Sequence, residues 1–260
     1  MSDATLSTFA AGDDRRFIRN LITVMAVILV SGFVVQLAAG RSSFAAPWVV
    51  HAHAVVFMGW VGIVLAQAWL AGSGNLQLHK QLGKLAVVWA LALLVVGTQV
   101  TVAAVQSGRT PFFFQPQHFI IANPLTLYGA VALLVAAVAL RAKPDWHSRL
   151  QVSSFVLLMG PGFGRLFPMP LLPPYAHEIA GLAALVFPIA GMFYDWRAHG
   201  RPHPAWLWGI AALVGFTLLS RVIGFSPIGE AVYDAVVAGT PLAGTSGLDF
   251  PPPPGPPPGT

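Results

Sequence analysis

Cysteine is absent from the chain, which excludes disulfides, thiolate metal centres and cysteine nucleophiles. Charge is almost as scarce. Only 9% of residues are Asp, Glu, Lys or Arg, against roughly 25% in a soluble domain. A soluble protein needs polar helix faces to meet water, and so few charges cannot supply them. No run of Asp or Glu crosses the apolar stretches, which argues against an ion pump. No His-x-x-x-His or His-Glu-x-x-His pair occurs, so metalloprotease signatures are lacking. No fixed-period repeat is present.

What fills the chain is apolar. Hydrophobic residues make up 56% of its 260 positions, with mean hydropathy +0.71. About 20 apolar residues span the roughly 30 Å hydrocarbon core of a bilayer as a helix. Seven stretches qualify: 17–39, 48–71, 82–105, 119–140, 147–165, 177–194 and 205–223. The expected fold is therefore an all-α polytopic membrane bundle of about seven helices. A short N-terminal segment (1–16) precedes it and a tail (224–260) follows it. The fifth and sixth stretches are the shortest, with Gly160, Pro161, Gly162 and Gly164 crowding one and Pro188 set to kink the other. Asp13 and Asp14 beside Arg15 and Arg16, and an apolar run (21–39) longer than a signal peptide's, indicate a retained first helix.

The net charge of +5 reports orientation and contact with membrane lipids rather than nucleic acid. With the N-terminus on one side, that side receives Arg15, Arg16, Arg19, Lys80, Lys84, Arg141, Lys143, Arg149, Arg197 and Arg201. The other receives Arg41, Arg109, Arg165 and Arg221. The bias predicts the N-terminus inside and the C-terminus outside. Trp48, Trp146, Trp196 and Trp206 fall near stretch ends, as an aromatic belt does. In the tail, residues 228–237 form an interfacial helix with Glu230 and Asp234 on its polar face. The Pro/Gly-rich remainder is expected to be disordered, with partner docking as the alternative.

Ionisable groups at membrane depth are expensive, so each marks a candidate site. His51, His53, His118 and His177 fall at predicted outer helix ends, with Glu178, Arg165 and Arg221 on the same side. Three chemistries fit: two of His53, His118 and His177 ligating haem b, with Arg165 and Arg221 on its propionates; the three imidazoles of His53, His118 and His177, with Glu178, holding a zinc or copper ion; or a histidine and Glu178 relaying protons to a quinone. Interfacial histidines without a ligand are the plainer alternative. His51 and His53 diverge by about 200° on a regular helix, which favours the deeper His53. On the inner side, His79-Lys80 and Asp145-Trp146-His147-Ser148-Arg149 read as orientation and headgroup contact, with Asp145 accepting from His147 or pairing with Arg149 to hold the loop. Asn123-Pro124 opens the fourth helix, where a cavity with Gln99 would serve a transporter.

The run His53-Ala-Val-Val-Phe57-Met-Gly-Trp60, then Gln67, then His79-Lys-Gln-Leu-Gly83, then His147-Ser-Arg149-Leu resembles a group of uncharacterised bacterial multipass membrane proteins. The resemblance covers residues 48–165. It implies a bacterial inner-membrane protein and points to His53, His79, His147 and Arg149, but it implies no activity. Three functions remain open: a redox or ligand-binding protein at the outer cluster, a non-enzymatic accessory subunit working with a membrane-protein partner or as a homo-oligomer, and a small transporter.

Overall fold

A computed structural model describes residues 3–42 and 44–253, with side chains from Gly12 onward. The end of the Pro/Gly-rich tail, residues 254–260, lies outside the described residues. The described chain is helical throughout: α1 (Asp3–Ala38), α2 (Trp48–Gly72), α3 (Leu76–Gln106), α4 (Pro116–Ala139), α5 (Pro144–Leu157), α6 (Gly160–Leu166), α7 (Ala176–Leu182), α8 (Val186–His199), α9 (Pro204–Gly224) and α10 (Pro227–Val237). Six helices are long and apolar enough to cross a membrane, with α7 and α8 counted as one helix (Ala176–His199). The protein is a multi-pass helical membrane bundle.

The fifth stretch departs from the single helix that the sequence predicts. It crosses as two pieces, α5 and α6, broken at Leu158 and Met159. Pro161 has no backbone N–H to continue the ladder and occupies the first turn of α6, where none is needed. The pair still runs from one end of the bundle to the other. His147 of α5 bonds Ala137 near the end of α4, and the Arg165 carbonyl of α6 accepts from Gln36 near the end of α1. The sixth stretch carries a 3₁₀ turn at Ala183–Leu185 between α7 and α8, because Pro188 cannot donate to the carbonyl four residues back. The chain thus passes between the two ends of the bundle seven times. We call the end where α1 enters the near end and the opposite one the far end.

Burial explains why α5 is the least apolar passage. Arg149, Leu150 and every residue from Val152 to Leu157 are buried, packed among α1, α4, α8 and α9. A central helix meets protein, so Arg149, Ser153 and Ser154 find partners that lipid would not supply. Ser154 Oγ donates to the Ala130 carbonyl of α4 at 2.7 Å, for example. The peripheral helices do the reverse and show lipid Val27, Val55, Val88 and Val135, all more than half exposed.

Backbones approach closely where glycines face each other. A Cβ on Gly32 of α1 would stand 2.7 Å from the Gly162 carbonyl oxygen of α6, the small-residue crossing that tightens membrane helix pairs. At the far end α10 is capped by Ser226, whose Oγ accepts from Ile228 N at 3.2 Å. Its Tyr233 and Val237 pack on Val105 and Ile120. Part of the tail beyond it is tied down: Gln117 N donates to the Gly247 carbonyl (2.8 Å) and Gln115 Nε2 to the Leu248 carbonyl (2.7 Å).

Candidate functional site

Four residues of the predicted outer cluster converge at the far end. His118 lies in the first turn of α4, His177 and Glu178 in the first turn of α7, and Arg221 in the last turn of α9. The imidazoles of His118 and His177 meet edge-to-face with centroids 5.2 Å apart. Arg221 Nη1 donates to Glu178 Oε1, and the guanidinium lies over Tyr175 (4.8 Å) and Phe225 (5.0 Å). Phe225 also borders His118 at 5.1 Å, and Phe114 borders His177 at 5.9 Å. Ser220 gives its hydroxyl proton to the Thr217 carbonyl (2.8 Å), so its oxygen accepts from His118 Nε2 at 3.4 Å. Gly224 makes the close fit of α9 to α4 possible, since a Cβ there would stand 2.8 Å from the His118 ring. Among the described residues, the buried Glu178 Oε2 finds no hydrogen-bond partner.

His53 and Arg165 form a separate locus. His53 is tilted against Phe57 (4.2 Å), its buried Nδ1 has no partner, and it lies within electrostatic reach of Arg165. Arg165 stacks on Phe33 at 3.8 Å and donates to the Pro161 carbonyl. His51, its neighbour on the opposite face, donates to the Phe44 carbonyl at 3.1 Å. The expectation of one seven-group cluster therefore resolves into two sets, of four groups and of two, with His51 outside both.

The two sets differ in what they can bind. Ring centroids 5.2 Å apart leave no room for a porphyrin between His118 and His177. No three His, Asp or Glu side chains assemble as a metal-ligand group among the described residues. An acceptor without a donor, two imidazoles and an aromatic rim suit a planar organic group that carries hydrogen-bonding oxygens.

Sequence reasoning missed the polar centre of the near end. Arg149, which it placed at the start of the fifth helix against lipid headgroups, pairs with Asp145 as expected (3.9 Å) but is only 3% exposed and is paired chiefly with Asp195, 1% exposed. Arg149 Nε donates to Asp195 Oδ2 at 2.8 Å and its Nη2 to Asp14 Oδ2 at 3.1 Å. Trp206 Nε1 (2.8 Å) and the His203 backbone N–H (3.1 Å) complete Asp195. Tyr194 OH (3.2 Å) and His199 Nε2 (2.9 Å) complete Asp14. Every member is satisfied, so this network ties α1, α5, α8 and α9 together. The one signal for it was Asp195 at the end of an apolar run, which reads equally well as an interfacial charge. His203, outside the membrane-crossing helices, caps α9 by accepting from Ala205 N at 3.2 Å. Burial, followed by the nearby Arg149 charge, holds its pKa below the usual histidine value.

The recess that a transporter reading would place near Gln99 and Asn123 is lined by Leu94, Val95, Thr98, Gln99, Tyr128 and Val131. Val95, Gln99 and Tyr128 are exposed, so it opens sideways toward lipid rather than into the bundle. Asn123 does not line it.

Comparison with protein-family models, curated proteins and solved structures finds no match for this chain.

Proposed function

We propose that this is a bacterial inner-membrane protein, N-terminus inside, whose far-end cluster binds the head group of a membrane quinone and exchanges protons with it. The observation that carries this reading is Glu178: one carboxylate oxygen held by Arg221, the other buried with nothing to accept from. A buried acceptor left bare costs about 1–3 kcal/mol or more, and a quinol hydroxyl is the donor it lacks. His118 and His177 stand beside it to donate to a quinone carbonyl and to take up a proton from the reduced ring. Tyr175, Phe114 and Phe225 offer flat faces to the ring, and the isoprenoid tail of a quinone lies in the lipid that surrounds the bundle. Arg221 holds the Glu178 carboxylate in place from the other side.

The test is titration of the detergent-purified protein with a short-chain quinone, read by quenching of tryptophan fluorescence. Saturable binding is expected, weakened about 10-fold or more in Glu178→Gln and His177→Phe, as loss of a charge-assisted hydrogen bond implies. Absence of saturable quenching, or equal affinity in both variants, contradicts the reading.

A further inference from the structure

At the near end two histidines from different passages meet outside the Arg149 network. His79 lies in the first turn of α3, which begins at Leu76 behind an Asn75 cap, and His147 lies in the first turn of α5. Each is oriented by its own backbone carbonyl. His79 Nδ1–H donates to Gln67 O at 3.2 Å and His147 Nδ1–H to Ala137 O at 2.8 Å. Both bonds leave Nε2 as the lone-pair nitrogen, and among the described residues neither Nε2 has a hydrogen-bond partner. The rings are perpendicular with centroids 6.2 Å apart.

That arrangement is what an imidazole pair needs before it takes a metal. Ligating histidines almost always give their other N–H to a carbonyl or carboxylate, which fixes tautomer and orientation. With metal–nitrogen bonds of about 2.0–2.1 Å, two imidazoles on one ion hold their centroids about 5–6 Å apart, and this pair stands at 6.2 Å. The Gln67 side-chain amide lies beside Gly83, one turn from His79, and its Oε1 is buried without a partner. Both imidazoles are half-buried, so water can reach the site and fill the remaining positions.

We infer that His79 and His147 form the protein part of a binding site for a late first-row divalent ion of the Zn²⁺ or Cu²⁺ kind, for which imidazole is a preferred donor. The site is independent of the quinone reading and lies at the opposite end of the bundle.

Tag-free full-length protein, stripped with a chelator, is dialysed against buffered Zn²⁺ and the bound metal is measured. One ion per chain is expected. His79→Phe and His147→Phe lower the affinity by roughly 10-fold or more, since even outer partners of a ligand are worth 10–100-fold. His118→Phe with His177→Phe leaves it unchanged. Should the near-end variants fold poorly, the electron paramagnetic resonance spectrum of the wild-type Cu²⁺ complex decides, with two coupled imidazole nitrogens expected. Less than stoichiometric Zn²⁺, affinity indifferent to both near-end histidines, or a copper spectrum without two imidazole nitrogens overturns the inference.

Discussion

Arg149 and Asp195 show how a single residue can hold four helices in register. Both are removed from water, and Asp195 is held by three neighbours: the arginine through two bonds, the indole of Trp206 and the backbone of His203. Breaking one partner of such a pair strands the other, at about 3–5 kcal/mol. Asp195→Asn should therefore lower the thermal midpoint in detergent sharply. Arg149→Met combined with Asp195→Leu should cost less than the two single changes together, because neither of these two buried charges is left facing the other's vacancy. Asp14 keeps its bonds from Tyr194 and His199. Additive losses would show that the pair is not coupled. His203 adds a pH signature. Its folded-state pKa lies below the ordinary value of 6.5, so its contribution to stability is complete above about pH 6.5 and falls as protonation is forced at lower pH. Protonation also removes the Nδ1 acceptor that caps α9. His203→Asn keeps a capping acceptor without a titratable ring, and its thermal midpoint should fall less between pH 7.5 and pH 5.5. An unchanged pH profile would rule the cap out as its source.

At the level of elements, the apolar runs located the helices well because membrane length and hydropathy constrain them strongly. They misjudged those whose surroundings are protein. α5 is buried, so it tolerates arginine and serine and need not be long, and a run-length criterion cannot see that. His79 was expected in a turn, but the Asn75 cap draws it into α3; hydropathy marks where lipid begins, not where a helix does. Glycines divide in the same way. Gly162 meets the α1 backbone at Leu29, and a Cβ there would stand 2.9 Å from the Leu29 Cα. Gly62 of α2 has nothing within 4 Å of its missing Cβ. Gly162→Leu should destabilise by about 1–3 kcal/mol through overpacking, whereas Gly62→Ala should stabilise by roughly 0.5–1 kcal/mol through helix propensity. Chemical unfolding in a fixed detergent measures both, and a stable Gly162→Leu protein would mean that the α1–α6 crossing is looser than its geometry.

Across the whole molecule, the membrane architecture was legible because composition alone demands it. The far-end cluster was half legible. His118, His177, Glu178 and Arg221 meet as expected, while His53 and Arg165 stand apart, because sequence gives the depth of a residue but not its position around the bundle. The orientation can be checked directly, since a chain without cysteine accepts one as a unique label. An impermeant maleimide applied to intact cells should modify Ser107→Cys at the far end, and Ser73→Cys at the near end only after permeabilisation. The opposite pattern inverts the topology. The proposed quinone site is tested most directly by extracting the protein purified in mild detergent from bacterial membranes and measuring the quinone it carries. The account predicts close to one quinone per chain in the wild type and a clear fall in Glu178→Gln. A wild-type quinone content no higher than that of an unrelated membrane protein purified alongside it would contradict the account.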